Sequence, residues 1–312
     1  MNYIQANILA DSIDSHGNRL TTFRLIYPRI ILAELNTHKM LSKNTSSSRA
    51  IPVKDNIQRI LEDPFIPTEW VKNSRGMYSL DTLDDISIVK ELWLKASLSM
   101  GEFAKILSDK ELHKQYANRL LEPFMYVDTI LTGTDFDNFF HLRTAEDAQP
   151  EIQELANCMY ARYEKSIPIV LEPGEWHLPY IDFMFDDKDK IHYSVNGQEL
   201  DLDTAIKVSI SCCGQVSYRK LNTTIDKALE IYEKFVSGNT VHGSVFEHSA
   251  TPFTEDEYNA RIKAMNLLRD ELGDVLSSID LEKILYKRNF KGWTQYRTQI
   301  PNDTYTKKFK KE

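Results

Sequence analysis

Thr37-His38-Lys39-Met40-Leu41-Ser42-Lys43-Asn44-Thr45-Ser46-Ser47-Ser48-Arg49 places His38 and Lys39 at one end of a hydroxyl- and amide-rich turn and Arg49 at the other. Arginine offers a planar fork of donors and serine adds neutral ones, a set suited to an anionic ligand. Thr45 to Ser48 cannot build an apolar core. The same residues also read as a capped helix end followed by a solvated polar loop.

Upstream, residues 3–9 and 19–27 read as two strands around the turn Ser15-His16-Gly17-Asn18. Pro28 suits the first turn of a helix running to about Leu41, with Ile31, Leu32 and Leu35 on one face. Downstream, residues 86–122 look mostly helical, and Pro150 opens a helix whose Ile152, Leu155, Ala156, Met159, Tyr160 and Tyr163 repeat at helical spacing. From about 168 to 206 the pattern is strand and turn, and Val208 to Tyr218 reads as a strand. A helix with Ile225, Ala228, Leu229, Tyr232, Phe235 and Val236 inward closes at Gly238, and further helix covers roughly 255–272 and 279–287. One α+β unit over residues 1–312 is the simpler organisation, with 86–167 as its helical part.

The composition narrows the function. The chain has 312 residues, 42% hydrophobic and 27% charged, as expected of an ordinary globular protein. Its formal charge is −8, from 38 basic and 46 acidic side chains, which is unsuited to sequence-independent nucleic-acid binding. The basic tail Lys307, Lys308, Lys310 and Lys311 reads as a frayed solvated end. Cys158, Cys212 and Cys213 give neither a metal spacing nor a disulfide framework, so a reduced, cytoplasmic protein is expected. No secretory signal and no membrane-spanning run is evident.

Three further constellations carry polar chemistry. His242-Gly243-Ser244-Val245-Phe246-Glu247-His248 is better read as a polar turn than as a metal site, because its histidines are six residues apart with no further ligands. Asn138-Phe139-Phe140-His141-Leu142-Arg143 leads to Asp147-Ala148-Gln149-Pro150, where Asp147 is placed as an N-cap and Arg143 as an anion or carboxylate partner. Arg119 before Pro123 reads as a surface salt bridge. There is no Gly-x-Gly-x-x-Gly fingerprint, phosphate loop or Gly-x-Ser-x-Gly elbow.

Taken together these segments resemble the flavin-dependent thymidylate synthases, the ThyX family. Its signature is Arg-His-Arg, seven residues, Ser, and Arg two later; Thr37-His38-Lys39, Ser47 and Arg49 fall in that frame. Arg119 with Pro123, and Asn138 with Leu142 and Arg143, are similar to family segments. Gly214-Gln215-Val216-Ser217-Tyr218 and the turn His242 to His248 resemble two more, which ordinarily precede the signature and here follow it. The chain thus resembles a circularly permuted, phage-type member, including its Gly174-Glu175-Trp176-His177-Leu178-Pro179 segment.

The resemblance implies a ThyX-like mixed sheet with packed helices, and reductive methylation of dUMP at C5 using methylenetetrahydrofolate, FAD and NADPH. Glu34, Ser47, Arg49, Arg119 and Arg143 would bind the nucleotide, and Arg143 would stabilise charge on the pyrimidine. His38, Lys39, Asn138, Leu142, Asp147, Ser217, His242, Ser244 and Glu247 would line the flavin. Thr37 and Lys39 stand where the signature has Arg, Glu34 where Gln is usual, Thr45 where Glu is usual, and Asp147 where His is usual. A hydroxymethylase, a dCMP-modifying relative and a non-catalytic nucleotide- or flavin-binding protein are the competing implications. A homotetramer is expected by the same resemblance.

Overall fold

In the computed structural model of the chain, residues 4–75, 79, 81–188, 190–217, 221–237, 241, 243–272 and 281–301 are described. The hairpin β1 (Gln5–Ile13) and β2 (Arg19–Pro28) turns through Gly17, whose φ of 84° favours glycine. After Pro28 come a 3-10 turn at Arg29–Ile31 and a short helix, α1 (Leu32–Leu35). The expected helix to Leu41 therefore stops early. The Thr37 hydroxyl donates to Glu34 O at 2.7 Å, competing with the backbone as short polar side chains do. The polar residues that follow form a strand, β3 (Ser42–Thr45), rather than a solvated loop.

α2 (Val53–Glu62), α3 (Ser87–Asp109), α4 (Lys114–Ala117) and a 3-10 segment at Asn118–Phe124 make up the helical part. They share a core of Val53, Ile60, Ala104, Ala117, Leu121, Phe124 and Met125. β4 (Tyr126–Gly133), α5 (Asp137–Arg143), α6 (Pro150–Tyr163) and β5 (Ile169–Val170) complete the first half. The main sheet has the order β3-β4-β2-β1-β5, antiparallel except for β1 with β5.

Alternation along β2 decides what each face carries. Phe23, Leu25 and Tyr27 point to one side and pack against Ile152, Leu155, Ala156 and Met159 of α6, the stripe expected from its spacing. Leu20, Thr22, Arg24 and Ile26 point to the other.

The rest of the chain covers that second face. β6 (Asp182–Phe185), β7 (Ile191–Val195) and β8 (Gln198–Leu200) form a small antiparallel sheet, followed by α7 (Leu202–Gly214). The strand expected at Val208–Tyr218 is thus mostly helix, and strand-and-turn structure ends at Leu200. Asp201 caps α7 through Thr204 N at 2.9 Å. α8 (Ile225–Val236), β9 (Ala250–Pro252) and α9 (Glu255–Leu272) follow; Gly238 and Tyr218 lie outside the described residues. Of the helix expected at 279–287, the described part is helical at 281–282 and passes through a 3-10 turn at Lys283–Leu285 into β10 (Tyr286–Lys287). β11 (Phe290–Lys291) and β12 (Trp293–Gln295) end the order. Trp293, fully buried, packs with Leu20, Leu171, Ala250 and Phe290, and its indole N–H donates to Asn18 O at 3.0 Å. Among the described residues no helix is long and apolar enough to cross a membrane.

Candidate functional site

Arg143, the last residue of α5, reaches back to the turn after α1. Its Nε donates to His38 Nε2 at 2.9 Å, and its Nη1 pairs with the Glu34 carboxylate. Since His38 Nε2 accepts, the imidazole is neutral with its proton on Nδ1. Burial, reinforced by the charges of Arg143 and Lys43, pushes the His38 pKa down to about 4. The ring sits edge-on to Phe139, centroids 5.0 Å apart, which fixes its orientation from the same helix that carries Arg143.

Lys43 adds a second cation from β3. Its Nζ donates to His38 O at 2.5 Å and Leu41 O at 2.8 Å. Burial and the Lys39 charge push the ammonium down to about 8, with Glu247 partly offsetting them. Glu247 ends a 3-10 turn, Gly243–Glu247, that packs on β3, and it is ion-paired with Arg297. Ser244 lies half-buried in that turn. On α5, Asn138 and Leu142 are four residues apart and both exposed, on the helix that presents Arg143.

A second cluster surrounds Glu122. Its Oε1 accepts from Ser48 Oγ at 2.6 Å and Arg119 Nη1 at 2.8 Å, and lies 3.1 Å from Arg29 Nη2. Arg119 is thus in the ion pair its position suggested. Burial opposes ionisation here, but the Ser48 and Arg119 hydrogen bonds and the Arg29 and Arg119 charges hold the Glu122 carboxyl below its usual range. Ser47, half-buried, and Arg49, exposed, belong to the same turn. Arg29, Leu32, Ala33 and Asn36 line a pocket with Arg119 and Glu122, whereas Glu34 and His38 project from another face of the α1 turn.

The C-terminal half meets this region directly. Asn44 Nδ2 donates to Cys213 O at 2.7 Å, and Val216 lines a cleft with Ser46, Arg24, Tyr126 and Asp128. Ser217 lies in the 3-10 turn packed against β3 and β4; His242 lies outside the described residues. Cys212 and Cys213 are buried, on a helix; burial raises the Cys212 thiol to about 12 and holds the Cys213 thiol well above its usual value.

One residue departs from its expected place. Asp147 is exposed in a turn, and the N-cap position of α6 belongs to Gln149, with no side-chain cap bond. Pro150 at the first helical position supplies the helix start instead. Arg29, Lys43, Glu122 and Arg297 join these clusters through partners distant in the sequence, so residue type and spacing do not single them out. The one available signal was Arg29 directly after Pro28, where a strand-to-helix change brings a side chain to a helix start.

Residues 19–169 match the family model described as thymidylate synthase complementing protein. The crystal structure of the UMP/dUMP methylase PolB from Streptomyces cacaoi bound with 5-Br dUMP is 15% identical, over 53% of this chain and 91% of that one, with a TM-score of 0.44. The same methylase bound with 5-Br UMP is 16% identical, over 53% and 90%, with a TM-score of 0.42. No curated protein matches the chain. The matched residues, just under half of the chain, run from β2 to β5 and hold Glu34, His38, Arg119 and Arg143.

Proposed function

We propose that the chain is an enzyme transferring a one-carbon unit to C5 of a pyrimidine nucleotide: reductive methylation of dUMP with methylenetetrahydrofolate, FAD and NADPH. The observation that carries the reading is Arg143, held by Glu34 and His38 with Nη2 left without a partner among the described residues. A guanidinium fixed in this way can donate to a pyrimidine carbonyl oxygen and stabilise the charge that makes C5 nucleophilic. His38, neutral and accepting, keeps the guanidinium in plane.

The residues beside Arg143 fit a flavin dinucleotide. Lys39 and Lys43 supply positive charge for a diphosphate, Asn138 an amide, and exposed Leu142 an apolar contact. The bound flavin would supply the hydride chemistry; the chain's own groups bind, orient and neutralise charge. Packing of Gly243–Glu247 on β3, and of Gln215–Ser217 on β3 and β4, supports a permuted order in which late segments complete the site. A second reading, action on dCMP, is favoured by Glu34: a carboxylate accepts from an exocyclic amino group as readily as it pairs with Arg143.

The test is the visible absorption spectrum of the purified protein, titrated with FAD and then with dUMP or dCMP. A bound-flavin spectrum perturbed by dUMP is expected. Perturbation by dCMP alone transfers support to the second reading, and a protein that takes up no flavin overturns both.

A further inference from the structure

β10 and β11 pair Tyr286 with Lys291 and Lys287 with Phe290, and a two-residue loop, Arg288-Asn289, joins them. Arg288 has a φ of 61°, in the left-handed region. Two-residue hairpin loops need a positive φ at this first position and favour glycine there, because a side chain is strained. With two residues per strand, the hairpin is too small to impose that conformation by its own ladder. Contacts with the candidate site hold it instead. Asn289 Nδ2 donates to Met40 O at 3.0 Å and Ser42 Oγ at 2.9 Å, and its Oδ1 accepts from buried Gln295 Nε2 at 2.9 Å. Tyr286 OH donates to Asp135 Oδ2 at 2.8 Å, and Lys291 N donates to Thr134 Oγ1 at 3.1 Å. The loop is thereby fastened to the turn that carries His38 and Lys39, and to the connection that opens α5 and so positions Arg143. Lys43 grips the same turn, where the Lys39 charge already disfavours its proton. Exposed Arg288 brings a further cation to that turn, an arrangement that an anionic ligand stabilises. Backbone strain of this kind collects at ligand-binding sites, where the surrounding structure holds it.

We propose that Arg288 is a ligand-binding residue of the Arg143 site, and that its guanidinium takes the diphosphate of the flavin dinucleotide. An arginine fork matches phosphate oxygens; glycine in its place relaxes the loop but leaves the anion unanswered. The inference rests on the flavin reading above and adds to it a residue from the C-terminal hairpin.

The experiment is titration of the full-length protein with FAD, followed in the visible spectrum, for wild type, Arg288→Gly and Arg288→Lys. Thermal melts of each protein are recorded before FAD is added. Arg288→Gly should melt close to wild type, because relief of the strain offsets the extra freedom glycine has in the unfolded chain. It should bind FAD about tenfold more weakly, or worse, the effect of losing a charged hydrogen-bond donor. Arg288→Lys keeps the charge without the fork and should bind with intermediate affinity. Wild-type affinity in the Gly variant overturns the role of Arg288. So does a Gly variant that melts well below wild type or does not fold, since the residue then serves the fold. A Lys variant as weak as the Gly variant overturns it too, since the charge is then not what binds. A wild-type protein that takes up no FAD removes the flavin reading itself, and this inference with it.

Discussion

Arg143 is held by two partners of opposite character, the charged Glu34 and the neutral His38. That arrangement sets its direction without consuming the whole guanidinium. Arg143→Ala should lower dUMP-dependent turnover by about 10²–10³-fold, the usual cost of deleting one preorganised donor. Arg143→Lys should recover little, because an ammonium cannot span both partners and a ligand. Steady-state kinetics on variants shown by thermal melts to be folded decides the matter; an Arg143→Ala enzyme as fast as wild type removes Arg143 from the chemistry. His38 constrains the pH profile as well. With its pKa lowered to about 4, it stays neutral above that value, so it contributes no activity limb between pH 6 and 8. At this scale the sequence was informative where residue type and spacing carry the role, as for His38 and Arg143. It was silent for Lys43 and Arg297, whose roles depend on partners that only the folded chain brings near.

Among the elements, α7 shows why some of the fold was not legible. Val208-Ser209-Ile210-Ser211-Cys212-Cys213 alternates like a strand, with β-branched Val208 and Ile210 at alternate positions. In the fold every one of these side chains is buried, so no amphipathic period marks the helix. The helix signal was present only in its cap, Asp201 with Thr204. The β1–β2 hairpin and α6 were legible because each buries one face only. α7 also carries a packing constraint at its end, where a Cβ added to Gly214 would run into the Phe235 ring of α8. Gly214→Ala should therefore destabilise the protein by about 1–3 kcal/mol, the usual cost of overpacking. Urea unfolding measures this, and an Ala variant at least as stable as wild type would show that Phe235 moves freely aside. Because Gly214 leads directly into Gln215–Ser217, the same variant should loosen the turn that packs on β3 and β4.

Across the whole molecule, the two halves of the chain are joined by a buried polar chain. Ser12 Oγ lies 2.9 Å from His177 Nδ1, and His177 Nε2 lies 2.8 Å from Thr22 Oγ1. Thr22 is 2.8 Å from Thr132, which is 2.8 Å from His248 Nδ1. Strands β1, β2 and β4 are thereby tied to the segments at 177 and 248. Burial pushes both imidazoles down to about 3; the Asp11 charge slightly favours a proton on His177, and His177 disfavours one on His248. Each is neutral in the fold but takes up a proton near pH 6.5 once unfolded. The unfolded chain therefore binds more protons than the folded one between about 6.5 and 3, so stability is full above that window and declines as pH falls through it. Once fully in the window, each histidine contributes a slope of about 1.4 kcal/mol per pH unit. His248 Nε2 has no partner among the described residues, so a proton there gains no hydrogen bond to offset its burial. His177→Gln keeps a polar side chain between Ser12 and Thr22 but cannot titrate. It should be less stable than wild type at pH 7, yet lose stability less steeply as the pH is lowered to 4.5. Urea unfolding at pH 6.5, 5.5 and 4.5 reads both quantities. A variant whose slope equals that of wild type would mean that His177 is not held neutral in the fold, and that the acid sensitivity of this protein originates elsewhere.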